Sequence, residues 1–358
     1  MFAAIATTIA AFEVIGFLED HQSTTVEIEI LWFGFRSFGS IHNQQFKSRY
    51  FHSMMWSNTL IHKTENQRLE LPGMEGTEVE LWLKREDLLH PEVSGNKWRK
   101  LKYNILEAIH LDLRGVVTKG GAHSNHILSV SAAAHAHGLE AVCFIRGHEV
   151  RSNPTLDRAR SMGARIIPVT RSEYAKDINE LVKLHLEDAD SWFQVPEGGS
   201  NSLGVKGCEE ILSEEDRQAF DVVAVSLGTG GTALGLLRSL ASAQGLFVYP
   251  AIKGTEHLRL MDSLGMTFDD PIERLTFRTD YHEGGYAKMS SDLLDFMRLM
   301  HKETGIKTDP VYTGKLLFGL YSDIRDGYFN PGTRVLAIHT GGLQGIVAME
   351  ERLGEQIF

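Results

Sequence analysis

A chain of 358 residues is long enough for about two domains of ordinary size, and 42% hydrophobic against 23% charged residues is a globular balance. Its 47 acidic and 36 basic residues leave a formal charge of -11, which argues against nucleic acid or an anionic membrane surface as the main partner. Two cysteines without metal-ligand spacing, Cys143 and Cys208, cannot build a disulfide framework and point to a reducing compartment such as the cytoplasm.

Residues 1–55 read differently from the rest. Phe2 to Leu18 is apolar but interrupted by Glu13, short for a bilayer span, and lacks the basic start of a secretory signal. Three readings compete for this extension: a membrane anchor, a targeting tail, or translated sequence upstream of a start at Met54 or Met55. The last is preferred, and no function is drawn from it.

From about Trp56 short β-branched runs alternate with helical stretches. Glu78 to Lys84 reads as a strand, followed by the acidic pair Glu86-Asp87 and then Ser94-Gly95-Asn96-Lys97-Trp98-Arg99-Lys100-Leu101. Gly95 permits a sharp turn. Trp98, Leu101, Ile105 and Ile109 then recur at three- and four-residue steps, the apolar stripe of a helix. Lys97 and Lys100 fall at the start of that helix, where cations are disfavoured unless an anion offsets them. From the octet alone a solvated basic face is the preferred reading.

Next come a strand at Gly115 to Thr118, a helix at Asn125 to His137, a strand at Ala141 to Ile145, a helix at about Asn153 to Met162 and a strand at Arg165 to Val169. A longer helical stretch leads to the strand Trp192 to Val195 and the turn Pro196-Glu197-Gly198-Gly199-Ser200-Asn201. Alternation of this kind implies right-handed crossovers and parallel sheets, hence an α/β fold.

In such a fold ligands bind at the carboxyl ends of strands, where three glycine loops fall. The first, Gly120 to His126, offers Ser124 and Asn125 to a carboxylate, although for Ser124 taken alone a helix cap is the preferred reading. His123, His126, His135 and His137 invite a metal reading, but the last two lie two apart on one helix and point to different faces, so no metal is expected. The second, Gly228-Thr229-Gly230-Gly231-Thr232, joins the strand Asp221 to Ser226 to the helix Ala233 to Ser242, an arrangement that presents amides to a phosphate or forms a tight turn. The next strand, Phe247 to Ile252, has no carboxylate after it until Glu256, so a monophosphate fits better than a dinucleotide. The third loop, His339 to Gly345, follows the strand Arg334 to Ile338. Between the last two lie the tyrosine segments Tyr281 to Tyr286 and Asp309 to Lys315.

As a set, from about Leu69 onward, these motifs resemble the pyridoxal-phosphate enzymes of fold type II, with the tryptophan synthase β-like arrangement of two open twisted parallel-sheet domains. The branch most similar contains 1-aminocyclopropane-1-carboxylate deaminase and D-cysteine desulfhydrase. The resemblance implies a larger cofactor domain (56–99 plus 196–358) and a smaller one (100–195), with pyridoxal 5'-phosphate between them. It puts the covalent lysine at Lys97 and a phosphate contact at Lys100. Ser124 becomes catalytic and carboxylate-binding, Asn125 a cofactor and substrate contact, and His126 a substrate contact. Gly228, Thr229, Gly230, Gly231 and Thr232 hold the phosphate, Tyr286 and Tyr312 are catalytic, and Thr340 meets the pyridine nitrogen. A small amino-acid substrate and a homodimer are implied too.

One departure bears on the reaction. The deaminase carries a carboxylate after its second tyrosine, whereas this chain has Thr313, as the desulfhydrase does, and His126 leans the same way. Ala287 and Lys288 after Tyr286 differ from both. The expected reaction is therefore β-elimination from D-cysteine, with cyclopropane ring opening, racemisation or dehydration on the same scaffold as alternatives, and a cofactor-binding regulator as the non-enzymatic one.

Overall fold

The computed structural model describes residues 64–147, 153–254, 257–267 and 269–358. The 1–55 extension and Glu256 lie outside the described residues. Among the described residues ten strands run in chain order: β1 (Asn66–Leu69), β2 (Glu80–Lys84), β3 (Gly115–Gly120), β4 (Glu140–Arg146), β5 (Arg165–Val169), β6 (Trp192–Gln194), β7 (Val222–Leu227), β8 (Gly245–Pro250), β9 (Leu275–Phe277) and β10 (Arg334–Ile338). The helices are α1 (Asn96–His110), α2 (Asn125–Ala136), α3 (Pro154–Ser161), α4 (Arg171–Tyr174), α5 (Ile178–His185) and α6 (Ser202–Cys208). They continue with α7 (Glu214–Ala219), α8 (Gly231–Ser239), α9 (His257–Asp262), α10 (Ser291–Thr304), α11 (Thr313–Arg325) and α12 (Gly345–Leu353).

The strands form two sheets. One has six strands in the order β1-β2-β10-β7-β8-β9, and the other four in the order β5-β4-β3-β6. All pairings are parallel except β1 with β2. The antiparallel β1 departs from the all-parallel expectation: its sequence, Asn-Gln-Arg-Leu, buries only Leu69 and carries no alternating signal.

Residues of β7 alternate between two cores, as the pleat demands. Val223 and Val225 pack with Leu234, Leu237 and Val205 on one face, while Val222 and Ala224 pack with Leu316, Leu317 and Leu320 on the other. A strand covered on both faces must be apolar throughout, and β7 is buried along its length. Val117, Val142 and Phe144 form the four-stranded sheet's core with Leu181 and Val182 of α5. Among the described residues no helix is long and apolar enough to cross a membrane.

Candidate active site

The turn ahead of α1 is fixed by backbone contacts that only glycine allows. Gly95 takes φ +64°, and a side-chain carbon there would overlap the carbonyl of Thr340. The Asn96 amide donates to that same carbonyl at 3.3 Å, so the loops at the ends of β2 and β10 are locked together. Beneath the turn, the Gly95 amide donates to the carbonyl of the fully buried Glu86, whose carboxylate takes both Nε and Nη2 of Arg99 at 2.9 Å. Lys97, the second residue of α1, is half-buried and donates to Asn96 Oδ1 at 3.0 Å. Asn96 Nδ2 in turn donates to Thr232 Oγ1 at 2.9 Å. Burial and then repulsion from Lys100 push the Lys97 ammonium down to about 7.

Lys100 is only 2% exposed, which excludes the solvated basic face. Its Nζ donates to Ser200 Oγ at 2.9 Å, the Gly198 carbonyl at 3.3 Å and Thr229 Oγ1 at 3.4 Å. Among the described residues no carboxylate forms an ion pair with Lys97 or Lys100. Burial lowers the pKa of Lys100, and a buried ammonium without a counter-charge is the environment an anion stabilises.

The loop after β7 completes that environment. Gly230 adopts φ +88° and turns the chain into α8, whose first amides have no partner within the helix. A methyl on Gly231 would come within 2.9 Å of Ser200 Oγ and 3.2 Å of Lys100 Nζ. The Ser200 and Thr229 hydroxyls are bonded to each other beside it. Two hydroxyls, an ammonium and a helix start thus surround a space that side chains would fill, and this fits a phosphate.

Ser124 stands at the N-cap of α2 but makes no capping hydrogen bond, which removes the simple capping account. Asn125 Oδ1 accepts from Gln344 Nε2, joining the loops after β3 and β10. His126 is buried, with Nε2 at 2.7 Å from Thr118 Oγ1, beneath the loop rather than at its open edge. Burial, with Lys97 and Lys100 nearby, holds its imidazole well below the usual histidine range, so it is neutral.

Tyr312 precedes α11, and its ring edge lies 2.9 Å from where a side chain on Gly228 would begin. Tyr286 meets it edge-on, with ring centroids 6.2 Å apart. Burial and the Tyr286 phenol push the Tyr312 hydroxyl well above the usual tyrosine range, so it stays protonated near neutrality. Thr313 and Thr340 are both buried, with their hydroxyl oxygens 3.4 Å apart. Asp309 accepts the amides of Val311, Tyr312 and Thr313 at 2.8 to 2.9 Å, which fixes the start of α11.

The predicted residues thus lie in the loops after β2, β3, β7 and β10, except that Tyr312 reaches the β7 loop from the start of α11 and Tyr286 meets Tyr312 from the loop after β9. Sequence reasoning missed Asn96, Ser200, Asp309 and Gln344 as members of this cluster. Ser200 had a visible signal, since Gly198-Gly199-Ser200 is a further glycine turn at a strand's carboxyl end.

An amine poised near neutrality beside an anion cradle is the chemistry that captures an aldehyde bearing a phosphate. The fold and the site together define the class of α/β enzymes that carry pyridoxal phosphate. Residues 59–341 match the family described as pyridoxal-phosphate dependent enzyme, and the chain belongs to that family, on the fold type II scaffold. Its cofactor is pyridoxal 5'-phosphate.

The chain is 32% identical over 295 residues to a putative 1-aminocyclopropane-1-carboxylate deaminase of Thermotoga maritima, covering 76% of this chain and 92% of the relative. It is 32% identical over 319 residues to the mitochondrial bifunctional D-cysteine desulfhydrase/1-aminocyclopropane-1-carboxylate deaminase of Arabidopsis thaliana, covering 79% and 77%. A D-cysteine desulfhydrase of Yersinia pestis is 30% identical over 293 residues, covering 75% and 88%. Among solved structures, an ACC deaminase homologue superposes with a TM-score of 0.68 at 28% identity, covering 84% of this chain and 98% of that one.

Proposed function

We propose that this chain is a lyase acting on a small amino acid, with D-cysteine desulfhydration as its reaction. D-cysteine and water would give pyruvate, ammonia and hydrogen sulfide. The observation that carries the choice over cyclopropane ring opening is the neutral hydroxyl pair of Thr313 and Thr340, where the resemblance sets the pyridine nitrogen's partner. The nearby buried carboxylate, Asp309, commits both oxygens to amides of the following turn.

When bound, the cofactor supplies an electron sink for the pair left as the α-proton departs. A neutral partner for its ring nitrogen makes that sink weaker than a carboxylate would. Expelling a thiolate demands less of it than cleaving a ring carbon–carbon bond.

On this reading Lys97 is the covalent anchor and, released by the substrate, the base at the α-carbon; a pKa near 7 leaves a useful fraction unprotonated. Lys100, Ser200, Thr229 and the glycines Gly228, Gly230 and Gly231 hold the phosphate, with Thr232 steadying Asn96. Ser124, free of a capping role, and Asn125 hold the substrate carboxylate with the first amides of α2. Buried His126 supports that loop from below. The protonated Tyr312 phenol and Tyr286 deliver the proton to the leaving sulfur. The reading also keeps the cofactor between the larger (56–99, 196–358) and smaller (100–195) domains of a cytoplasmic homodimer, for which gel filtration of the holoenzyme is the check.

The test is kcat/KM for D-cysteine and for aminocyclopropane carboxylate in one preparation. A tenfold preference for D-cysteine corresponds to about 1.4 kcal/mol between the barriers. A preference for the cyclopropane would overturn the reading of Thr313. No turnover of either, with an absorbance shift on adding another amino acid, would overturn the substrate and leave the scaffold.

A further inference from the structure

Lys315 is 1% exposed on α11, three residues after Tyr312, and among the described residues no carboxylate pairs with its ammonium. Nζ instead donates to the carbonyls of Gly285 at 2.7 Å, His282 at 2.8 Å and Ala251 at 3.4 Å. That accounts for all three of its hydrogens. Two of the three carbonyls belong to the loop that carries Tyr286. This loop follows an unfavourable path, with φ of +57° at Glu283, +86° at Gly284, +120° at Gly285 and +53° at Ala287. Residues with a β-carbon hold such angles only where surrounding contacts impose them.

The same face of α11 seats the rest of the segment. Gly319 and Asp323 follow Lys315 at four-residue steps and share its face. A side chain on Gly319 would come within 2.6 Å of Tyr249 and 2.9 Å of Tyr281, so helix and loop meet directly. Asp323 accepts from Arg278 Nε at 2.9 Å and Nη2 at 2.6 Å, from Tyr249 Oη at 2.7 Å and from Tyr281 Oη. One helix therefore carries Tyr312 at its start and grips both ends of the segment that presents Tyr286.

We propose that Lys315 is a positioning residue for Tyr286: its ammonium gathers the Ala251, His282 and Gly285 carbonyls and so holds the loop where its phenol meets Tyr312. This rests on the reading of Tyr286 as a proton donor to the leaving group. A neutral amine has two hydrogens and turns a lone pair toward the third carbonyl, so loss of charge slackens the clamp. Burial brings the Lys315 ammonium down to about 8, against the opposing pull of Glu283 and then Asp309. Other charged or titratable groups around the clamp are His282 on the loop, Lys253 and Lys288 packed against Gly285 and Gly284, and Arg352 of α12 on the Ala287 carbonyl. The phenols of Tyr281 and Tyr312 complete the set, both with pKa values raised above the tyrosine range by burial.

The experiment places a reporter on the loop. Tyr286 is 56% exposed, so Tyr286→Trp is accommodated, and its emission is compared with that of the parent holoenzyme from pH 6.5 to 9.5. A fluorescence transition centred near pH 8 is expected with Lys315 intact, and none when Lys315→Met or Lys315→Arg, which cannot lose charge in this range, is added. Lys315→Met alone should lower kcat at pH 7 by at least ~10-fold, a positioned proton donor being worth about 10²–10⁴-fold, with cofactor affinity unchanged. Lys315→Arg should recover part of that loss. No transition with Lys315 intact, or one that persists in whichever Lys315 variant folds, overturns the proposal. Full turnover by Tyr286→Phe would instead overturn the catalytic reading of Tyr286, while the fluorescence transition still decides whether Lys315 sets the loop.

Discussion

Two lysine ammoniums three residues apart on one buried helix start repel each other, and only the unprotonated amine of Lys97 can attack an aldehyde. With its pKa near 7, the fraction competent to react rises through neutrality instead of near 10.5. The rate at which the apoprotein captures pyridoxal phosphate should therefore climb about tenfold per pH unit below 7 and level off above it. Stopped-flow absorbance follows the capture directly. The Lys100→Met variant should shift this midpoint upward, because a repelling charge is gone, and should also weaken cofactor affinity. Lys97→Ala should show no stable visible band at any pH. A midpoint near 10 in the parent protein would mean that neither burial nor Lys100 acts on Lys97 as the geometry implies.

At the scale of elements, the β7–α8 turn lies against Ser200 and Lys100 and also shows where the sequence was readable. The glycine run, the strand before it and the helix after it are visible from spacing, yet α8 begins at Gly231 rather than Ala233. Gly230's left-handed turn starts the helix inside the run. Likewise β3 extends to Gly120, two residues past its predicted end at Thr118, because its pairing with β4 continues to Gly120 opposite Ile145. The resemblance singled out Lys97, whereas nothing singled out Lys315: a lysine in an amphipathic helix ordinarily reads as solvated. Its signal was positional, since 315, 319 and 323 share a face beside the apolar positions 316 and 320. Gly231 offers a cleaner test of the turn than Gly230, whose φ of +88° would add backbone strain to any substitution. Gly231→Ala should fold normally and still lose ~10- to 100-fold in cofactor affinity. Its methyl displaces a charge-assisted contact of Lys100 worth about 1.5–3 kcal/mol. Cofactor titration beside thermal unfolding of the apoprotein separates the two effects, and unchanged affinity would remove the turn from the phosphate site.

At the scale of the whole molecule, the candidate site draws on loops from the carboxyl edges of both sheets. The four-stranded sheet contributes the loop after β3, and the six-stranded sheet contributes the loops after β2, β7 and β10. Alternating strands and helices announce such edges in the sequence, but not which residues bridge them, because contacts more than 200 positions apart leave no local pattern. Asn125 and Gln344 are such a bridge, with the Gln344 amide donating to Asn125 Oδ1. Asn125 opens α2 beside Ser124, whereas Gln344 precedes α12 after β10, so the bond ties the loop after β3 to the loop after β10. Gln344→Ala removes one side-chain hydrogen bond worth about 1 kcal/mol, or roughly a fivefold change. Because this bond involves none of Lys100, Ser200 and Gly231, the loss should fall on substrate KM and leave cofactor affinity as it was. Steady-state kinetics with D-cysteine, alongside a cofactor titration, reads both quantities in the same variant. If KM stayed constant while cofactor affinity fell, Asn125 would be serving the cofactor rather than the substrate carboxylate. In that case the carboxylate would be left to Ser124 and the helix amides alone.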